Sequence, residues 1–178
     1  LSLSRATTAG HIMNADAEIQ RVFYGVNWDR KNQRWTGLLA GETKAFGAQN
    51  FYTSVYPDQY EETGSAVAQL GWELTQNRLR IQAGLHGRYH ADRFELYREG
   101  AGWYNLTDEG FYVAQWDLPD TAGLYAPGAS WYAGANLHRS FVTAANALVQ
   151  WKSDDWTFSA AADARNEVIR SNRLGGAL

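Results

Sequence analysis

Apolar and polar residues alternate with a period of two through most of this chain, most cleanly from Ser65 to His90. Ala66, Ala68, Leu70, Trp72 and Leu74 share one side, and Gln69, Gly71, Glu73 and Thr75 share the other. After a turn at Gln76 and Asn77, Leu79, Ile81, Ala83, Leu85 and Tyr89 resume the apolar side. Arg80, Gln82, His86, Arg88 and His90 resume the polar one. Successive side chains on a strand point to opposite faces, so the stretch predicts a β-hairpin with one apolar face and one face of charges and imidazoles.

Two more hairpins follow from the same signal. Glu18 to Trp28 and Arg34 to Thr43 flank Asp29 to Gln33, with Val22, Tyr24, Val26 and Trp28 on one face. Phe141 to Trp151 and Trp156 to Glu167 flank Lys152 to Asp155, with Trp156, Phe158, Ala160, Ala162 and Ala164 on one face. A strand before His11 and a hairpin inside the longest connection are further candidates. Connections within each pair are short, but those between pairs, at 44–60 and 97–139, are long. Compact soluble domains rarely carry irregular connections of that length, whereas outer-membrane barrels alternate short turns with long loops. Trp28, Trp35, Trp72, Trp151 and Trp156 all lie near the short turns and on the apolar faces, where a barrel gathers its aromatic girdle.

The predicted fold is therefore all-β, an antiparallel up-and-down transmembrane β-barrel. Six strands fall short of the about eight that close the smallest single-chain barrels, so residues 1–178 are expected to be a segment of a larger barrel. The ends, including Leu174 to Leu178, read as cut or as continuing into strands beyond this sequence. A soluble β-sandwich or lipocalin-like binding module is the alternative that also explains two-faced strands, though not the loop asymmetry.

Composition changes this picture in three places. The mean hydropathy of −0.46 is compatible with a barrel, in which lipid-facing and lumen-facing residues average out. No run approaches the roughly 20 apolar residues of a membrane helix. A net charge of −3 argues against a nucleic-acid partner, and the absence of cysteine removes disulfides and thiolate metal sites.

Candidate chemistry is sparse. His86 and His90 share a face with Asp92 nearby, but four residues of strand span about 13 Å, too far for both imidazoles to reach one ion. No metal or cofactor is assigned, and the acidic residues of the long loop lack a calcium-loop spacing. His11, His138, Ser140 and Asp92 supply hydrolase residue types without a constellation, so no catalytic residue is named and the chain is read as a non-enzyme. Arg80, His86, Arg88 and Arg165 are expected to line a polar lumen. Trp103, Tyr104, Trp116, Tyr125, Trp131 and Tyr132 in the long loop are candidates for small-molecule capture, since rings offer large contact area at low entropic cost. The run Arg93, Glu95, Arg98 and Glu99 reads as a solvated charged wall above the membrane.

Five blocks in order carry a family resemblance: KAFGAQNFY (Lys44 to Tyr52), YPDQYEET (Tyr56 to Thr63), RYHADRFELYRE (Arg88 to Glu99), HRSFVTAANA (His138 to Ala147) and RNEVIRSNRLGG (Arg165 to Gly176). Together they resemble the central barrel of TonB-dependent outer-membrane receptors, in the branch that includes cobalamin and ferric-siderophore receptors. The resemblance implies residence in the outer membrane of a Gram-negative bacterium and uptake of a scarce nutrient. It also implies partnership with the TonB complex and, in some relatives, with a surface lipoprotein that closes over the barrel. The family's plug domain and TonB-contacting segment are absent from these 178 residues, so transport is implied only for the whole parent protein. The segment Gly100 to Leu137 is longer than the family's usual loop at this point, which leaves the ligand open. A plug-less outer-membrane porin or polysaccharide-export barrel is the alternative within the membrane class.

Overall fold

The computed structural model describes residues 1–49, 56, 58–99, 104–106, 108, 112–114 and 134–173. Among them the strands are β1 (Ser2–Thr8), β2 (Ala17–Arg30), β3 (Gln33–Gly47), β4 (Tyr60–Gln76), β5 (Leu79–Glu95), β6 (Tyr104–Leu106), β7 (Tyr112–Ala114), β8 (Asn136–Lys152) and β9 (Thr157–Ser171). Seven of them form one antiparallel up-and-down sheet in the order β1-β2-β3-β4-β5-β8-β9, and β6 pairs with β7 as a separate ribbon. The sheet is open: β1 and β9 are its edges. The chain is thus all-β, the strand expected before His11 is β1, and the hairpin expected in the longest connection is β6 with β7.

One turn is shifted by a residue from the expected position and another is tighter. Gln76 still pairs with Leu79, so the turn is Asn77 and Arg78 rather than Gln76 and Asn77. Arg30 pairs with Gln33, which leaves only Lys31 and Asn32 outside the ladder. Each turn opens on a left-handed residue, Lys31 at φ 53° and Asn77 at φ 51°, a region asparagine tolerates better than most residues. Both turns are tied to the next strand, by Thr75 N–H donating to Asn32 O at 2.8 Å and Lys152 N–H donating to Arg78 O at 2.8 Å.

No second layer covers either face of this sheet among the described residues. Among the described residues the buried hydrophobic ones are Ala48, Leu96, Tyr97 and Val142, and the first three sit at the long-loop end. Large apolar side chains are instead exposed along the strands, including Leu39 at 56% and Leu85 at 60%. No described helix is long and apolar enough to cross a membrane.

Candidate functional site, a two-faced wall with a polar cluster at its loop end

Register converts the alternation into lateral rows. On the apolar face, Trp28, Trp35 and Trp72 are successive Cα partners near the short turns, and Trp151 is flanked by Leu79 and Phe158. The Trp35 and Trp72 rings lie 6.0 Å apart, those of Trp151 and Phe158 5.9 Å. Trp72 Nε1–H donates to Gln33 Oε1 at 3.2 Å, so the indole body joins the apolar face while its one polar group has a partner. Trp156 lies in the last short turn, one residue before β9.

At the other end the apolar face closes with Tyr89 beside Phe141, rings 4.9 Å apart. On β5 the apolar positions run from Leu79 to Tyr89, about 33 Å along a strand at about 3.3 Å per residue. A strand tilt of about 40° projects this to about 25 Å, the height of the apolar band on outer-membrane barrels.

On β4 and β5 the opposite face is mainly polar and internally bonded, while its rows also hold Phe23, Leu38, Leu148 and Ile169. Arg80 Nη2 donates to Glu73 Oε2 at 3.1 Å, and Gln82 Nε2 donates to the same oxygen at 2.9 Å. His86 Nδ1 lies 3.0 Å from Gln69 Nε2, and His90 Nδ1 lies 2.7 Å from Ser65 Oγ. The two imidazoles have separate partners on β4. Among the described residues no group of three or more His, Cys, Asp or Glu could hold a metal ion. Arg165 donates to Glu167 at 2.9 Å, while Arg88 is exposed and has no ion pair among the described residues. The four residues expected to line a lumen all lie on this polar face, with His86, Ala144 and Arg165 in one lateral row.

Of the aromatic loop candidates, Tyr104 falls in β6; Trp103, Trp116, Tyr125, Trp131 and Tyr132 lie outside the described residues.

A site the alternation does not announce sits where the long connections begin and end. Arg98 donates two hydrogen bonds to Asp16, one of them at 2.8 Å, and another to Asn14 Oδ1 at 3.1 Å. Its guanidinium lies 4.3 Å from the Tyr60 ring centroid. Asn14, held at φ 54°, donates through Nδ2 to Gln59 O at 2.7 Å and accepts from Gln49 N–H at 3.2 Å. Ala48 N–H donates to Gln59 O at 2.7 Å, and Arg98 N–H donates to Asp58 O at 3.0 Å. Four chain segments are thereby fastened together, with Asp58, Gln59 and Glu95 each only 2% exposed.

The solvated wall expected from Arg93 to Glu99 is corrected here. The Glu95 side chain is 3% exposed and receives Arg93 at 2.6 Å, while the Arg98 side chain is 17% exposed. Glu95 and Arg98, at and just after the end of β5, turn inward because the converging segments supply counter-charges and carbonyls that a single strand lacks.

The cluster predicts its own pH dependence. Burial raises the Asp58 carboxyl to about 6, while the hydrogen bond from Arg98 holds Asp16 below the usual carboxylate range. The Asp58 contribution to stability is complete below its unfolded value of 3.8 and is lost as pH rises through about 6. That of Asp16 is present above 3.8 and is lost as pH falls through its lowered value. Protection of the Ala48 and Arg98 amides from hydrogen exchange, corrected for the intrinsic rate, is expected to be greatest between these limits. Asp58→Asn should flatten the loss on the alkaline side, and an unchanged alkaline loss would contradict the assignment.

Gly47 makes the close approach possible. A Cβ there would meet Asn14 backbone O at 2.4 Å and C at 2.5 Å. At Gly71 the one close approach of a Cβ would be to the hydroxyl oxygen of Thr36, at 2.4 Å, which can rotate away, with Thr36 Cβ and backbone O at ordinary contact distance. Gly47→Ala should therefore cost about 1–3 kcal/mol and expose the cluster to protease, whereas Gly71→Ala should be tolerated. Limited proteolysis of the two variants side by side checks this.

Comparison with protein-family models, with curated proteins and with solved structures finds no match to this chain.

Proposed function

We propose that this chain is part of the wall of an outer-membrane β-barrel, its apolar face against lipid and its polar face toward an aqueous interior. The observation that carries the proposal is the single-layer sheet itself. One face is a band of exposed Val, Leu, Phe, Tyr and Trp about 25 Å high with aromatic rings at both margins, and the other carries the charges and imidazoles, interspersed with Phe23, Val67, Val142 and Ile169. Exposed apolar area on this scale needs an apolar surrounding, and closed strand pairing is the barrel solution in lipid. The free edges of β1 and β9 would then be met by further strands.

Within that class, a TonB-dependent receptor for a corrinoid or a ferric siderophore is the reading we favour, on the five sequence blocks. The polar cluster adds support, since it fastens the roots of the long loops where an incoming ligand would first be met. The chain's role is then transport, with no catalytic step. A plug-less porin or export barrel shares the wall but needs no saturable ligand.

Flotation with phospholipid vesicles tests the wall. The parent protein, in which further strands meet β1 and β9, should rise with the vesicles, resist extraction at alkaline pH and show tryptophan quenching by brominated acyl chains; a parent protein left in the aqueous fraction contradicts the proposal. Binding of labelled cobalamin and of a ferric siderophore to cells carrying the parent protein tests the receptor. Saturable binding of either supports it, and unsaturable flux of sugars or ions without binding favours the porin.

A further inference from the structure

Just beyond Tyr89 and Phe141, the same outward face carries two arginines that the wall alone does not explain. Arg139 and Arg170 are direct Cα partners on β8 and β9, and both are exposed. Like charges set opposite each other on antiparallel strands repel. Neither has an ion pair among the described residues, and their row continues through Ala91 and Gly64, which bring no carboxylate. Of the other cations nearby, Arg93 binds Glu95 at 2.6 Å and lies 3.6 Å from Glu99, Arg5 binds Glu18 at 2.9 Å, and Lys44 lies 4.4 Å from the Phe46 ring centroid.

The surface beside them is hollow. A depression of about 750 Å³ is floored by Ala45, Gly64 and Ala91 and edged by Arg93 and Arg139. It shares Gln20, Thr43, Gly64 and Tyr89 with a second hollow of about 620 Å³, which runs down the apolar face past Gly41 and Ala66. Three acidic residues line the upper hollow: Glu18 accepts from Arg5 and Gln20, Glu62 accepts from the Tyr60 hydroxyl at 3.2 Å, and Asp92, the Cα partner of Thr63 and His138, alternates to the opposite face from Ala91 and Arg139.

We propose that Arg139 and Arg170 bind the phosphate of a membrane-lipid headgroup whose acyl chain descends the outward face past Tyr89. The inference rests on reading that face as lipid-facing. Guanidinium groups match phosphate oxygens in planar, charge-assisted pairs, and this pair sits one row above the apolar band, where headgroups lie. A phosphate between the two side chains removes the repulsion that the bare pair carries.

Native mass spectrometry of the full chain tests this with phosphatidic acid and a diacylglycerol of the same acyl chains, which differ only in the phosphate. The chain should retain phosphatidic acid about tenfold over the diacylglycerol. Arg139→Gln combined with Arg170→Gln should abolish that preference, and Arg5→Gln should leave it. No preference in the parent chain, or one that survives the double substitution, overturns the proposal. Displacement of the lipid by millimolar inorganic phosphate overturns it too, since the site would then be a simple anion site. Quenching by brominated acyl chains, measured on the same sample, separates the two levels. A quenched chain without lipid preference sinks this inference alone; an unquenched chain sinks the membrane wall with it.

Discussion

Leu70→Arg is expected to block membrane assembly, with a cost of about 2–4 kcal/mol for a cation near mid-bilayer, and Leu85→Arg is expected to do the same. The two leucines are Cα partners on β4 and β5, 47% and 60% exposed, two residues from the Trp28, Trp35 and Trp72 row and four from the Tyr89 and Phe141 row. Gln69→Arg, one residue away, faces the polar side beside His86 and should be tolerated. Folding of the parent protein into vesicles, read as the fraction with heat-modifiable gel mobility, measures the contrast. Equal tolerance at positions 69 and 70 would remove the distinction between the faces.

The second large effect is expected at Arg98. Arg98→Met keeps the packing of the stem but removes the hydrogen bonds to Asp16 and Asn14. Bonds to charged groups are each worth about 1.5–3 kcal/mol, and part of Asp16 is exposed, so a loss of about 2 kcal/mol is expected. That corresponds to about thirty-fold faster exchange of the Gly47 and Ala48 amides. Arg165→Met removes an ion pair in which both side chains are largely exposed and should change the same amides very little. Asp16→Asn alone and combined with Arg98→Met completes a cycle; additive effects would show that the two groups are not coupled.

The faces of the sheet were legible because the period of two holds along most of β4 and β5, although consecutive apolar residues such as Val22-Phe23-Tyr24 and Val168-Ile169 break it elsewhere. Trp28, Trp35 and Trp72 could be assigned to one face and one end from the sequence, and the register makes them neighbours. Turn closure was less legible, since Gln76 remains in the ladder and the left-handed Asn77 begins the turn. The polar cluster was illegible for a different reason. Asn14, Gly47, Asp58 and Arg98 come from four separate segments, each unexceptional alone, and only the β1 to β5 pairing order brings them together. The same isolation made Arg98 look like one more solvated charge. A weak signal existed in Asp16 before β2 and Arg98 after β5, opposite charges at the same end of the predicted sheet. Alternation says nothing about residues beyond the strands, so it gave no reason to pair them.

The absence of cysteine permits the most direct measurement, because a single introduced thiol is the only one in the chain. Leu70→Cys, Leu85→Cys, Gln69→Cys and His86→Cys, each spin-labelled in the bilayer-reconstituted protein, sample two adjacent positions on each face. Labels at 70 and 85 should relax strongly with oxygen and weakly with a water-soluble nickel complex, and labels at 69 and 86 should show the reverse. Nickel access at all four positions would contradict a wall with lipid on one side and water on the other.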